Sequence, residues 1–181
     1  MQGTLIVALP DQEDTDFTKS VDYTISQLTI QTGQQVDFIV TVWKTGGRID
    51  QCLSCINTLY RNVERMPIFL LDPNSSLSWM LKPVIQFVIE YSFDFNLILQ
   101  FLSHIQNCQH EILTKVDSNW CSLIPIGQSC KVTTTGFRWN LTDHILEFGG
   151  LISSSNKFDP KSKTSTVKTD KPLLFSLHTS L

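Results

Sequence analysis

Two clusters in this chain have the residue types that handle phosphate. The first is Asp11-Gln12-Glu13-Asp14-Thr15-Asp16, the densest acidic run in the sequence, directly after the apolar stretch Thr4–Leu9 and Pro10. Clustered carboxylates at the start of a helix can hold Mg²⁺, a hard cation that prefers oxygen ligands and usually bridges to phosphate. Taken alone, the cluster reads equally as a helix cap with favourable dipole charges. The second is Gly46-Gly47-Arg48-Ile49-Asp50-Gln51, again between a strand-like run and a helix-like pattern. Glycines let a backbone approach phosphate, Arg48 can meet one bidentately, and Asp50 offers a second carboxylate. Its plainer reading is a βα turn with an exposed Arg–Asp pair. Both clusters fall at the carboxyl ends of expected parallel strands, where open α/β sheets bind ligands. Together they point to a nucleotide phosphate held with Mg²⁺.

Other chemistries are missing from the sequence. It contains no G-x-x-x-x-G-K-[ST] loop, no G-x-G-x-x-G and no G-x-S-x-G elbow. His104, His110, His144 and His178 form no ligand pattern. Cys52-Leu-Ser-Cys55 has metal-like spacing but no second pair, so helix-borne structural cysteines are expected. Five irregularly spaced cysteines and no signal-peptide pattern fit a reducing, cytoplasmic setting. The net charge of −3 and the absence of a long basic stripe argue against nucleic acid and anionic membrane as partners.

The elements that must position these clusters follow from periodicity. The 181 residues are 41% apolar, enough for one ordinary domain or two small ones. Thr4–Leu9 is expected as a buried strand. A helix follows from Asp14-Thr15-Asp16, with Phe17, Val21, Ile25 and Leu28 on one face and Gly33 at its end. Val36–Val42 reads as a strand buried on both faces. A second helix carries Ile49, Leu53, Ile56 and Tyr60, and Pro67–Leu71 is a third strand candidate. This alternation predicts an α/β layer with a partial parallel sheet. Beyond Glu111 the pattern changes to short strands at Glu111–Val116, Trp120–Pro125, Cys130–Thr135, Leu151–Ser153, Ser165–Lys168 and Leu173–Leu177, which predicts an all-β sandwich. Residues 84–109 are strongly apolar without a clean period, and Glu90 and Asp94 interrupt them. A membrane span tolerates few charges, so none is expected here.

Several strings resemble eukaryotic thiamine pyrophosphokinases. Pro10-Asp-Gln-Glu-Asp-Thr-Asp-Phe-Thr-Lys19 resembles the family's P-D-Q-D-x-T-D-F-x-K, and Gly47-Arg-Ile-Asp-Gln51 its G-R-x-D-Q. Trp120-Cys-Ser-Leu-Ile-Pro-Ile-Gly127 resembles W-C-G-L-I-P-x-G. Val132-Thr-Thr-Thr-Gly-Phe-Arg-Trp-Asn-Leu-Thr142 resembles V-T-T-T-G-L-x-W-N-L-T, and Leu151-Ile-Ser-Ser-Ser-Asn156 resembles L-V-S-T-S-N. They lie in order and cover most of the chain outside 84–109.

The resemblance implies a nucleotide domain over 1–83, an atypical apolar insert over 84–109 and a thiamine-binding sandwich over 110–181. It implies pyrophosphoryl transfer from ATP to thiamine, giving thiamine diphosphate and AMP, in a homodimer with the thiamine site between subunits. Asp16 and Asp50 would be the catalytic, Mg²⁺-holding carboxylates. Gln12, Thr15, Lys19, Arg48 and Gln51 would contact the nucleotide. Trp139 would be the aromatic platform for thiamine, with Ser155 and Asn156 as polar contacts. Set against the family pattern, the chain begins downstream of a first strand and its acidic G-D-x-D-S motif. It carries Trp43-Lys44 where the family has a Gly-Gly pair, and Glu13 in place of an Asp. Residues 84–109, which have no family counterpart, read as a translated retained intron. A non-catalytic thiamine-binding or dimerising fragment stays open as the alternative to an active enzyme.

Overall fold

The structure, a computed structural model, describes residues 6–28, 30, 33, 36–44, 47–72, 76–90, 120–162 and 164–178, the side chains of 28 and 84–90 excepted. Helix α1 (Asp16–Tyr23) starts where the Asp-Thr-Asp triplet places it. Thr15 is extended, and its hydroxyl accepts the Thr18 backbone N–H at 3.2 Å, satisfying one of the helix's unpaired donors. A wider π-helical turn, Thr24–Leu28, prolongs it, and Gly33 stands beyond it at φ +63°. Strand β1 (Ile39–Val42), helix α2 (Ile49–Arg61) and β2 (Ile68–Asp72) follow, and β1 and β2 pair in parallel across the helix. Next come β3 (Ser76–Leu81), β4 (Val84–Glu90), β5 (Trp120–Pro125), β6 (Cys130–Thr135), β7 (His144–Leu146), β8 (Ser153–Lys157), β9 (Thr164–Thr169) and β10 (Leu173–His178).

The strands form two sheets. One has six strands in the order β1-β2-β3-β10-β5-β8; the other has four in the order β4-β9-β6-β7 and is wholly antiparallel. The six-stranded sheet has a helical face and a sandwich face, and its side chains alternate between them as a period of two requires. Ile68, Leu70, Met80 and Leu174 meet Val21, Leu59 and Val63 from the helices. Phe69, Leu77, Trp79, Leu123 and Phe175 meet Val132, Phe137, Leu146 and Val167 across the sandwich. Trp79 is the aromatic centre of that second core, 4.9 Å from Phe175 and 5.6 Å from Phe69 between ring centroids. Burial on both faces explains the unbroken apolar run of β2.

An α/β layer followed by a sandwich is therefore the architecture, with corrections in detail. Residues 6–10 form no strand; Ile6 is 88% exposed, with Val7 and Leu9 also exposed. An apolar run becomes a buried strand only when a neighbour accepts its backbone, and among the described residues β1 pairs with β2 alone. For the same reason β1 is an edge strand rather than one buried on both faces, and Val42 is 70% exposed. Helix α2 turns Leu59, Thr58, Cys55 and Ile56 inward and leaves Ile49 and Leu53 in solvent. The strand expected at Leu151–Ser153 is β8, displaced to Ser153–Lys157. Residues 111–116 lie outside the described residues. Of 84–109, the first seven residues form β4, which pairs antiparallel with β9 from Val84↔Thr169 to Glu90↔Thr164; the rest lies outside the described residues. Periodicity also missed β3 and the three-residue β7.

Candidate functional site

The acidic cluster is organised by local bonds. The Asp11 carboxylate accepts the Glu13 backbone N–H at 3.0 Å, and Gln12 donates to the Pro10 carbonyl at 3.2 Å. Lys19, with a largely buried side chain, reaches back to the Asp11 carbonyl at 2.9 Å and stands 3.3 Å from the Asp16 carboxylate, which is fully exposed. Asp14 pairs with Arg61 at 2.6 Å, and Asp22 with Arg65 at 2.7 Å. A groove of about 500 Å³ opens here, lined by Pro10, Asp11, Asp14, Lys19, Asp22 and Tyr23 among others.

The second cluster stands at the start of α2. Gly47 holds φ +78° with open space around it, and Arg48 is the extended residue before the helix. Both guanidinium Nε and Nη2 of Arg48 donate to the Asp50 carboxylate, the first at 3.1 Å. That bidentate bond holds the Asp50 carboxyl below the usual range and raises Arg48 above its own. Both side chains are mostly exposed. Gln51 follows in the first turn, also exposed. Just before this loop Trp43 packs into the helical core, with its indole N–H buried and without a hydrogen-bond partner among the described residues.

The two clusters are each engaged separately. Thr18 and Thr58 share a buried hydroxyl–hydroxyl bond of 2.8 Å. Together with Asp14–Arg61, this anchors the start of α1 to the C-terminal half of α2. Thr58 and Arg61 lie about 12 and about 16 Å along the helix from Asp50. Asp16 is paired with Lys19 and Asp50 with Arg48. Among the described residues no three His, Cys, Asp or Glu side chains surround a common point.

The sandwich side is more closely knit. Trp139 follows β6 in the loop that Gly136 opens and is 53% exposed. Asn156, on β8, is 3% exposed and holds the Trp139 backbone at both ends. Its Oδ1 accepts the Trp139 N–H at 3.3 Å, and its Nδ2 donates to the Trp139 carbonyl at 2.8 Å. The same Oδ1 accepts the Lys157 N–H at 2.8 Å. Ser155, its neighbour on the strand, is exposed. Asn156 and Trp139 are thus brought together, with Asn156 holding the Trp139 backbone, and Ser155 adjoins Asn156 only along the strand. The Arg138 guanidinium lies over the Trp139 ring, 4.9 Å from its centroid, which no sequence pattern signalled. Elsewhere Cys52 and Cys55 are half-buried on α2, and burial pushes the Cys121 thiol up to about 12. No helix among the described residues is long and apolar enough to cross a membrane.

Comparison with known proteins bears on both halves. The family model for the catalytic domain of thiamin pyrophosphokinase matches residues 1–70, and the model for its vitamin B1 binding domain matches residues 109–174. Thiamine pyrophosphokinase 1 of Arabidopsis thaliana is 30% identical over 172 residues, covering 92% of this chain and 53% of the relative. Thiamin pyrophosphokinase 1 of Caenorhabditis elegans is 30% identical over 176 residues, covering 95% of this chain and 61% of the relative. The chain thus spans little more than half the length of these relatives. Among solved structures, thiamine pyrophosphokinase from Bacillus subtilis superposes with a TM-score of 0.66 at 21% identity, covering 94% of this chain and 65% of that one. The enzyme from Candida albicans gives 0.67 at 18%, covering 93% and 62%. At those identities the structural likeness speaks for the fold.

Proposed function

The chain belongs to the thiamine pyrophosphokinase family, and from that premise we propose that it transfers a pyrophosphoryl group from ATP to thiamine. The thiamine hydroxyl oxygen bonds to the β-phosphorus of ATP while the bond from that phosphorus to the AMP oxygen breaks. The hydroxyl proton passes to a carboxylate, and thiamine diphosphate and AMP leave. Catalysis of this kind is largely positioning and charge neutralisation. The observation that carries the reading is the half-exposed Trp139, whose backbone N–H and carbonyl are both held by the buried Asn156 amide. A fixed, flat aromatic face suits a cationic heterocycle, with gains of roughly 0.5–2 kcal/mol.

On the phosphate side, Arg48 and Lys19 supply positive charge, while Gln12, Thr15 and Gln51 supply uncharged polar contacts to the nucleotide. Asp16 and Asp50 are the carboxylates for Mg²⁺. Their oxygen chemistry fits an ion that takes one or two carboxylates and completes its shell with phosphate and water. Each would exchange its Lys19 or Arg48 partner for the ion. Once bound, Mg²⁺ would neutralise triphosphate charge. The reading includes a homodimer with thiamine between subunits, in the cytoplasm.

A second reading has its own support. Asp16 and Asp50 are each already paired with a cation, and the described residues gather no acidic cage. On that reading the chain is a non-catalytic thiamine-binding or dimerising partner. One assay separates the two: purified chain with ATP, Mg²⁺ and thiamine, followed for thiamine diphosphate and AMP. Turnover that vanishes in Asp50→Ala supports the enzyme. Thiamine binding without turnover, lost in Trp139→Phe, selects the binding partner.

A further inference from the structure

Arg138 is adjacent to the platform and has no role in the reading above. Its backbone N–H donates to the Lys157 carbonyl at 2.7 Å, which ties its main chain to β8 beside Asn156. Its side chain is exposed and lies on the Trp139 ring, and it makes no ion pair among the described residues. The Trp139 backbone is therefore tied to β8, while the cation over its ring sits on a long, flexible stem. A cationic ring that stacks on this face must first displace the guanidinium, forfeiting one cation–π contact to gain another. The displaced guanidinium remains one residue away, with five N–H donors and no ion-pair carboxylate among the described residues to take them.

We propose that Arg138 is a specificity residue that makes the Trp139 platform favour a cationic heteroaromatic ring bearing a phosphate or diphosphate tail over the same ring with a free hydroxyl. The inference rests on the proposed thiamine platform. The untailed ring displaces Arg138 and gives its guanidinium no new partner. The tailed ring displaces it and gives its fork an anionic group to bind in bidentate fashion. The diphosphorylated product is thus held more firmly than the substrate, and Arg138 makes the site responsive to product.

The test is binding of thiamine and of thiamine diphosphate, each titrated by calorimetry, with the ¹⁹F resonance of Trp139 followed in 5-fluorotryptophan-labelled protein. Trp139→Phe assigns that resonance. The native chain is expected to bind the diphosphate more tightly, with a preference that shrinks as salt rises. Arg138→Met keeps an unbranched stem but removes the charge. It should weaken thiamine diphosphate by roughly tenfold or more, as for a lost hydrogen bond to a charged group. It should leave thiamine unchanged or tighten it by up to about fivefold. Arg138→Lys should restore part of the preference. Equal effects on the two ligands, or none, overturn the role of Arg138 while leaving the platform intact. A Trp139 resonance that neither ligand moves in the native chain overturns the platform, and the proposal with it.

Discussion

Asn156 is a strand residue whose side chain works for a loop. Its amide completes three backbone bonds, two to Trp139 and one to Lys157, at a buried position. Removing a buried partner strands the groups it served, which costs more than the bonds contributed. Asn156→Ala is expected to lower stability by about 1–3 kcal/mol, read from urea midpoints at constant slope. It should also abolish the thiamine-dependent change at Trp139. Asn156→Asp, which keeps the acceptor but not the donor, should fall between the two. A stability loss with unchanged thiamine binding would show that the platform does not depend on this amide. The sequence offered the residue as a polar contact through its place in L-I-S-S-S-N, but not the backbone task that the structure gives it. A string shows that an asparagine is required and not which backbone it will meet, because Trp139 lies 17 positions away.

The β6 strand, the Gly136 turn and the Trp139 loop form the element that presents the platform. Gly136 has φ +75°, and a Cβ there would stand 2.2 Å from the Thr164 carbonyl oxygen on β9. Its own carbonyl accepts from Ser165 Oγ at 2.7 Å and from the Asp159 N–H at 2.9 Å. The turn is thus clamped by β9 and by the loop that precedes it. Gly136→Ala combines left-handed strain with a backbone collision, so its cost should exceed the roughly 1 kcal/mol that strain alone brings. Gly47→Ala has a similar φ of +78° but open space around it, so it serves as the control. Thermal melts of the two variants should show the larger loss at Gly136, at about 2–4 °C for each kcal/mol. Equal losses would mean that β9 yields freely. The V-T-T-T-G string marked this turn, and β6 occupies the expected Cys130–Thr135. Element α2 was legible as a helix, and of its expected apolar positions Ile56 and Tyr60 pack against the core while Ile49 and Leu53 do not. Its apolar residues cover more than one face, and only the position of the sheet selects Leu59 and Cys55 over Ile49 and Leu53.

At the scale of the molecule, the six-stranded sheet joins the halves. Strand β10, the last among the described residues, lies between β3 and β5, with six residues in register from Leu173↔Leu81 to His178↔Ser76. Helices cover one face and the four-stranded sheet the other, so the two cores share a wall. Unfolding should therefore be a single cooperative transition, with far-ultraviolet dichroism and tryptophan fluorescence coinciding. A chain ending at residue 83 lacks β10, a partner of β3, and β5 beyond it, and should not fold alone. Two separated transitions, or a folded 1–83 piece, would mean that the halves are independent. The division at residue 83 follows a change of pattern along the chain, and pattern carries no information about which distant strand completes a sheet.

Local rules settled much of this protein in advance. The start of α1 follows from Thr15 as a cap, β6 and β10 follow from alternation and turn residues, and the family follows from strings that survive in order. These are short-range properties, set by backbone sterics and by side chains a few residues apart. Only the tertiary structure decided that Ile6–Leu9 stays exposed, that β1 is an edge, that Asp16 and Asp50 are each paired with their own cation, and that Arg138 lies on Trp139. Each of those outcomes depends on which surface meets which. Burial and charge pairing are settled by partners far along the chain, at distances that periodicity does not measure.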